Sequence, residues 1–396
     1  MNKKFMALAV AGALASPVAA FAQASSVEIY GRANVGLDNY SATGATAGSA
    51  FDYKSRNRIY DSFSRLGFRG SEDLGGGLRA VFLIESGVNI DTGGGNGQAG
   101  QPNPSTGALG SRLGHVGLAG REWGQLTFGK SNVFWTNGPI EQIGANYVNL
   151  SAFVSSGIFG RGMGVGVARQ SNVVQYTSPL VSGVEAVISY MPSGEAQPAG
   201  ANTNGKIWGV TLQRHAGAFP VGYDWTRSWG NNPAVGNQAV TTGHKLRAGW
   251  AYQPGALVGV LWLKSIHDNG GVGVDPTQHA DLAAPSLSQT AWGVTWEHYF
   301  GNVQALAQWF KIPNISGCVT AGACSNTNAV QWMVGGRYTL SKRTNLYLTY
   351  NAVRNASNYN LDYSVAGLSS AAAAGLPATS VGADPRVIAI GIQHNF

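Results

Sequence analysis

The sequence predicts an all-β protein, a 16-stranded antiparallel transmembrane β-barrel. Three observations predict it. Apolar and polar residues alternate with period two from one end to the other, and the alternating runs are joined by connections that are short and long in turn. Charge is also scarce: charged residues make up 11% of the 396, less than half of the roughly 25% found in an ordinary soluble domain. Gly contributes 56 residues, Trp 11, Tyr 15 and Phe 14, while mean hydropathy is only -0.04. Low charge with neutral hydropathy describes a chain with one apolar face per element, not a thick globular core or a bundle of membrane helices.

The N-terminus stands apart from this pattern. Asn2-Lys3-Lys4 is basic, Phe5 to Ala15 is apolar, and Ala20-Phe21-Ala22 has the small-x-small form of a cleavage site. This is the layout of an export signal over residues 1–22, leaving a barrel domain over 23–396. Loss of Lys3 and Lys4 lowers the formal charge from +7 to +5. The apolar run is too short to span a bilayer, and no other run of about 18 apolar residues follows it.

The strands justify themselves in order. In SVEIYGRANV, Val27, Ile29, Ala33 and Val35 alternate with Glu28, Tyr30, Arg32 and Asn34. In SRLGFRG, Leu66 and Phe68 alternate with Arg65, Gly67 and Arg69, because even spacing shares one face of a strand. KLRAGWAY sets Leu246, Ala248, Trp250 and Tyr252 against Lys245, Arg247 and Gly249. AVQWMVGGRYTL sets Val330, Trp332, Val334, Tyr338 and Leu340 against Gln331, Gly335, Arg337 and Thr339. RVIAIGIQHNF ends the chain with Ile388, Ile390, Ile392 and Phe396 on one side. Short turns fall at 72–76, 120–124, 179–183, 215–219, 253–256, 300–302 and 341–344. Long polar connections fall near 41–57, 89–111, 131–168, 191–205, 230–243, 268–288, 313–328 and 355–384. Seven short and eight long connections separate sixteen strands with both termini on the short-turn side, the outer-membrane barrel pattern.

Physics then closes the sheet. Lipid tolerates strands only when every backbone edge is paired, and Trp and Tyr near strand ends suit the two membrane interfaces. Sixteen strands enclose a lumen too wide for side chains to fill, so it holds water and the polar faces line it. Alternation turns Arg65 and Arg69 into that lumen, and likewise Arg32, Arg79, Arg247 and Arg337. These last four either add to a positive lining or pair with lumen acids such as Glu28, Glu85 or Glu297. Expected partners are the lipid bilayer and small anionic or neutral hydrophilic solutes. The bases are spread along strand faces, which does not suit nucleic acid.

Other signals are weak. GNGQAG (95–100) matches a dinucleotide fingerprint but precedes QPNPSTG and no helix. GRGMGVG (160–166) lacks the ending of a phosphate loop, and no GxSxG nucleophile turn occurs. The seven His are scattered. No catalytic residue, cofactor or metal is therefore assigned. Cys318 and Cys324, in ISGCVTAGACSNTN, are expected to form a disulfide that pins a loop.

Several stretches resemble the general diffusion porins of Gram-negative bacteria, in particular their β-proteobacterial branch. They are SSVEIYGRANVGL (25–37), SRLGFRGSEDLGGGLRAVFLIE (64–85), RLGHVGLAGREWGQLTFGK (112–130) and the terminal Phe396, which is like that family's assembly signal. The resemblance covers essentially the whole mature chain. It implies a homotrimer and a third loop, here 131–168, that folds inward and narrows the pore. It implies an arginine ladder at the constriction: Arg65 in SRLGF, Arg112 in RLGHV and Arg169 in ARQSN. On the facing loop, Glu141 is the one acid between Glu122 and Glu185, a departure from the enteric pattern of several acids. The expectation is a passive, anion-preferring outer-membrane channel and not an enzyme. The alternative is a solute-specific porin for an anionic metabolite such as a dicarboxylate, sugar acid or phosphate.

Overall fold

The computed structural model describes residues 26–91, 109–133, 159–165, 169–192, 205–214, 217–232, 237–272, 279–362 and 380–396. The expected signal segment, GNGQAG and Glu141 lie outside the described residues.

Seventeen β segments are present among the described residues. They are β1 (Ser26–Thr43), β2 (Tyr53–Asp61), β3 (Arg65–Gly75), β4 (Leu78–Gly87), β5 (Leu113–Gly120) and β6 (Gly124–Asn132). Next come β7 (Arg169–Thr177), β8 (Val184–Met191), β9 (Lys206–Arg214), β10 (Val221–Asn232), β11 (Asn237–Gln253) and β12 (Ala256–Asp268). The last five are β13 (Ser286–Phe300), β14 (Val303–Ile312), β15 (Ala329–Thr339), β16 (Thr344–Asn355) and β17 (Asp384–Asn395). From β3 onward each segment pairs antiparallel with the next. β17 returns to β1, in register from Arg32–Asn395 to Thr43–Asp384, so the cylinder has no free edge.

The count of sixteen holds because β2 and β3 are two arms of one wall. Both pair with β1, β2 along Val35–Ala42 and β3 along Ser26–Arg32. The break between them is Ser62–Ser64, where Phe63 takes a positive φ of 58°. Such a residue costs about 1–3 kcal/mol and needs surrounding support. Here Ser62 N donates to the Asn34 carbonyl at 2.8 Å, Ser64 N to Asp61 Oδ1 at 3.1 Å, and Asn34 N to Ser64 Oγ at 2.9 Å.

Facing follows the alternation. On β17, Ile390 is 56% exposed while its neighbour Ala389 is 1% exposed. Leu246, Trp250, Val334, Tyr338, Ile388 and Ile392 are likewise exposed on the outer face, and Lys245 and Arg247 are buried on the inner one. Phe396 covers Gly31, with reciprocal backbone hydrogen bonds of 2.9 and 3.1 Å.

Two expectations need correction. The connection placed at 230–243 is short, because Ser228 pairs with Thr241 and Asn231 with Gln238, extending β10 and β11 until only 233–236 join them. The inner face is also not uniformly polar. Leu257, Leu261 and Leu263 of β12, Leu287 of β13 and Phe310 of β14 point inward and are nearly inaccessible. They share one apolar cluster with Phe159 and Met163, which precede β7 in the chain. Period two distinguishes the two faces but does not show what will lie against the inner one.

Candidate functional site

The inner wall gathers charge where β1, β3, β4, β5 and β7 meet. Its hub is Glu85, inward on β4 and 6% exposed. Arg112, just before β5, donates from Nε to Glu85 Oε1 at 2.8 Å. Arg65, at the start of β3, places Nε 3.5 Å from Glu85 Oε2. Tyr30 of β1 donates its hydroxyl to the same oxygen at 3.0 Å. Arg169, 4% exposed at the start of β7, lies within electrostatic reach of Arg112, Glu85 and Arg65. Arg65 and Arg112 thus share one carboxylate, with a third permanent positive charge, that of Arg169, within electrostatic reach of it.

Local sequence explains how this assembles. The register sets Gly67 between Tyr30 and Glu85. A Cβ on Gly67 would lie 2.4 Å from Tyr30 Cζ, so glycine leaves the space in which the ring crosses to Glu85. The break at Phe63 places that buried ring under Arg112, with the guanidinium 5.6 Å from its centroid.

Arg65, Arg112 and Arg169 are therefore brought together, and Glu85 is the counter-charge of Arg65 and Arg112. Sequence reasoning had offered Glu85 to other arginines. The signal that finds it is register: Glu85 is directly opposite Gly67 of SRLGFRG, and Arg112 N also donates to the Glu85 carbonyl at 2.9 Å. The remaining inward arginines stand elsewhere. Arg69 forms a two-pronged pair with Glu28, at 2.8 and 2.9 Å, toward the short-turn side and about half exposed. Arg32 donates to Asn395 Oδ1 at 3.3 Å. Arg79 is exposed, opposite Asp73 in register.

A second buried charge group, which was not anticipated, lies on β9–β11. Arg247 bonds to Asp224 and, at 2.8 Å, to Gln213 Oε1. Lys245 Nζ is 3.5 Å from Asp224 Oδ2, and Gln213 donates on to Glu185 at 2.8 Å. Arg337 bonds to the Tyr299 hydroxyl, while Glu297 accepts from Gln304 at 2.7 Å. Arg58 and Asp38 form another inner pair, at 3.0 and 2.9 Å. Of the four arginines whose fate was open, Arg247 meets a carboxylate, though not one of the three acids named for it.

Of the third long connection, residues 159–165 are described. Gly160 N donates to the Tyr359 hydroxyl at 2.8 Å and Arg161 N to Asn360 Oδ1 at 2.7 Å. Tyr359 in turn donates to Gln289 of β13 at 2.9 Å. A segment leading into β7 is thus bonded to residues that follow β16. Burial pushes the Tyr359 phenol above its ordinary range and the Arg161 guanidinium below its own. Nearby, Cys318 and Cys324 form a disulfide. Asp281 accepts the backbone N–H groups of Val319 and Thr320, both at 2.8 Å, and these bonds hold its carboxyl below the ordinary carboxylate range.

Comparison with known proteins matches residues 7–358 to a family described as Gram-negative porin. The major outer membrane protein P.IB of Neisseria gonorrhoeae is 28% identical over 366 residues, covering 87% of this chain and 91% of that protein. An outer membrane porin protein of Bordetella pertussis is 33% identical over 206 residues, 48% of this chain and 49% of that protein, so this match spans about half its length. Among solved structures, an anion-selective porin from Comamonas acidovorans superposes with a TM-score of 0.69 at 18% identity, covering 94% of this chain and 100% of that one.

Proposed function

Because the chain belongs to the Gram-negative porin family and so is an outer-membrane porin, we propose that it is a passive diffusion channel that favours small anions. One observation carries the preference: Arg65 and Arg112 pair with the one carboxylate of Glu85, with Arg169 in electrostatic reach of all three. Two unit charges about 4 Å apart interact by roughly 4 kcal/mol at an effective dielectric near 20. Water and salt in a pore reduce this, but about 1.4 kcal/mol is already a tenfold bias. The likeness to the anion-selective Comamonas protein speaks for the barrel at 18% identity. The preference rests on the charges of this chain.

We further propose that the third connection folds inward with Glu141 near the arginines, that three copies assemble, and that Phe396 is the assembly signal. The bonds from residues 159–165 to Tyr359 and Asn360 support the inward course. A neighbouring solved structure, OmpT of Vibrio cholerae, is a trimer form, which supports assembly in threes.

The test is the reversal potential across a planar bilayer in a KCl gradient. The sign should report chloride preference. In the double variant R65Q/R169Q the Arg112–Glu85 pair stays intact, and the potential should move most of the way toward zero. Cation preference in the unaltered protein, or an unmoved potential in the variant, overturns the reading. Saturable block by a carboxylate or phosphate would turn it toward a solute-specific porin.

A further inference from the structure

Two buried imidazoles that ion passage does not use lie at the long-loop end of the apolar wall. His267 is the last inward residue of β12 and is 0% exposed. His279 stands in the connection between β12 and β13 and is 6% exposed. Their ring centroids are 6.2 Å apart and the planes are tilted by 36°. All four ring nitrogens are buried without a well-formed hydrogen bond among the described residues. Backbone groups of Met163 and Gly164 adjoin the His267 ring, and that of Asp281 adjoins His279. Buried polar atoms are as a rule partnered, so four such nitrogens in one place need a physical reason.

Packing fixes both rings. Gly271 turns at a positive φ of 73°, and a Cβ there would collide with His267 Nδ1, so the chain closes over that edge of the ring. Asp281, two residues after His279, accepts the N–H groups of Val319 and Thr320 and the Thr320 hydroxyl at 3.1 Å. Its carboxylate is thus committed to the cap and gives His279 charge nearby, which the Arg161 guanidinium opposes. Burial holds His279 below the ordinary histidine range, so its ring keeps a lone pair at neutral pH. Met163, fully buried in the apolar cluster, brings a thioether into the same packing.

We propose that His267 and His279 together bind one transition-metal ion, copper in preference to zinc. Two imidazoles that donate to one ion from nearly opposite sides, through bonds of about 2 Å, have ring centres about 6 Å apart. The covered Nδ1 of His267 leaves Nε2 to face the ion. Among the described residues no third His, Cys, Asp or Glu completes a cage, so the remaining positions fall to water, a backbone carbonyl or the Met163 sulfur. Calcium and magnesium do not suit this donor set, because they take oxygen. Imidazole suits copper, nickel and zinc, copper(II) stands highest in the order of affinities, and a thioether favours copper further. The ion joins β12 to the connection that follows it, beside residues 159–165.

The test uses untagged full-length protein in detergent, titrated with copper(II) and with zinc(II) by isothermal calorimetry. One copper ion per chain should bind, at least tenfold more tightly than zinc. Its electron paramagnetic resonance spectrum should show splitting by two imidazole nitrogens. The variant H267Q/H279Q should lose this ion while its circular dichroism stays unchanged. Should that variant fail to fold, H279Q, which alters the connection alone, should weaken copper binding at least tenfold and leave one nitrogen in the spectrum. Copper binding that persists unchanged in a folded variant resides on the other five of the seven His and overturns the proposal. So does a spectrum of the unaltered protein with fewer than two nitrogens, zinc bound as tightly as copper, or the absence of saturable binding.

Discussion

Two walls of one lumen differ in what they turn inward. The wall of β3 to β7 presents Arg65, Arg112 and Arg169 around Glu85. The wall of β12 to β14 presents Leu261, Leu263, Leu287 and Phe310. Both obey the same alternation, and outside both lies an apolar face that includes Ile84 and Val116 on one side and Val260 and Trp292 on the other. The difference arises from what each inner face meets. Charged groups stay where they can share one carboxylate and a hydroxyl. Apolar groups stand where Phe159 and Met163 pack against them, as an ordinary buried core does.

The sharpest way to break this comparison is to hollow the apolar wall. Phe310 is fully buried in the cluster. Phe310→Ala should lower stability by about 3–5 kcal/mol, the usual cost of removing a buried ring and leaving a cavity. Thermal unfolding of the detergent-solubilised barrel measures it. A change below about 1 kcal/mol would mean that this wall is open to water and not packed as a core.

The opposite wall is tested by removing its anion. Glu85→Gln removes the carboxylate that pairs with Arg65 and Arg112 and lies near Arg169. Breaking a buried pair by deleting one partner costs about 3–5 kcal/mol. The cost here should fall at or below the lower end, about 2–3 kcal/mol, because Arg65 retains some access to solvent. Chloride preference should rise at the same time, since one negative charge is removed from beside the arginines. A less stable barrel with more anion selectivity separates this wall from the first, where Phe310→Ala should leave selectivity unchanged.

The charged wall was partly legible in the chain and the apolar wall was not, for physical reasons. Strand facing is local: once Leu66 and Phe68 point outward, Arg65 must point inward. The count of sixteen also survives, although the wall next to β1 is broken at Phe63, because β1 pairs with both arms. The partner of an arginine is set by register between strands, so Glu85 could be named as a lumen acid without being matched to Arg65 and Arg112. On β12 both faces are apolar, Val258, Val260 and Trp262 outward against Leu257, Leu261 and Leu263 inward. Composition there shows no inner face; among the described residues, Phe159 and Met163, distant in sequence, join the cluster that covers it.

The smallest expected effect concerns the cap above the apolar wall, where Cys318 and Cys324 pack against the cluster and Asp281 holds Val319 and Thr320. The Asp281 carboxyl is held below its ordinary range in the folded protein, chiefly by the Thr320 N–H. A group depressed on folding stabilises at pH values above its unfolded pKa, and that contribution is lost as pH falls through the folded value. Above about pH 5 the cap should therefore be at full strength, weakening progressively below about pH 4. Asp281→Asn should lower the unfolding temperature slightly at pH 7 and flatten its acid dependence. The difference between unaltered protein and variant should shrink as pH falls from 7 to 3, leaving the contributions of all other carboxylates in common. If the two proteins keep a constant difference across that range, the cap is held by the disulfide and the Thr327–Cys324 contact, and Asp281 contributes nothing that titrates.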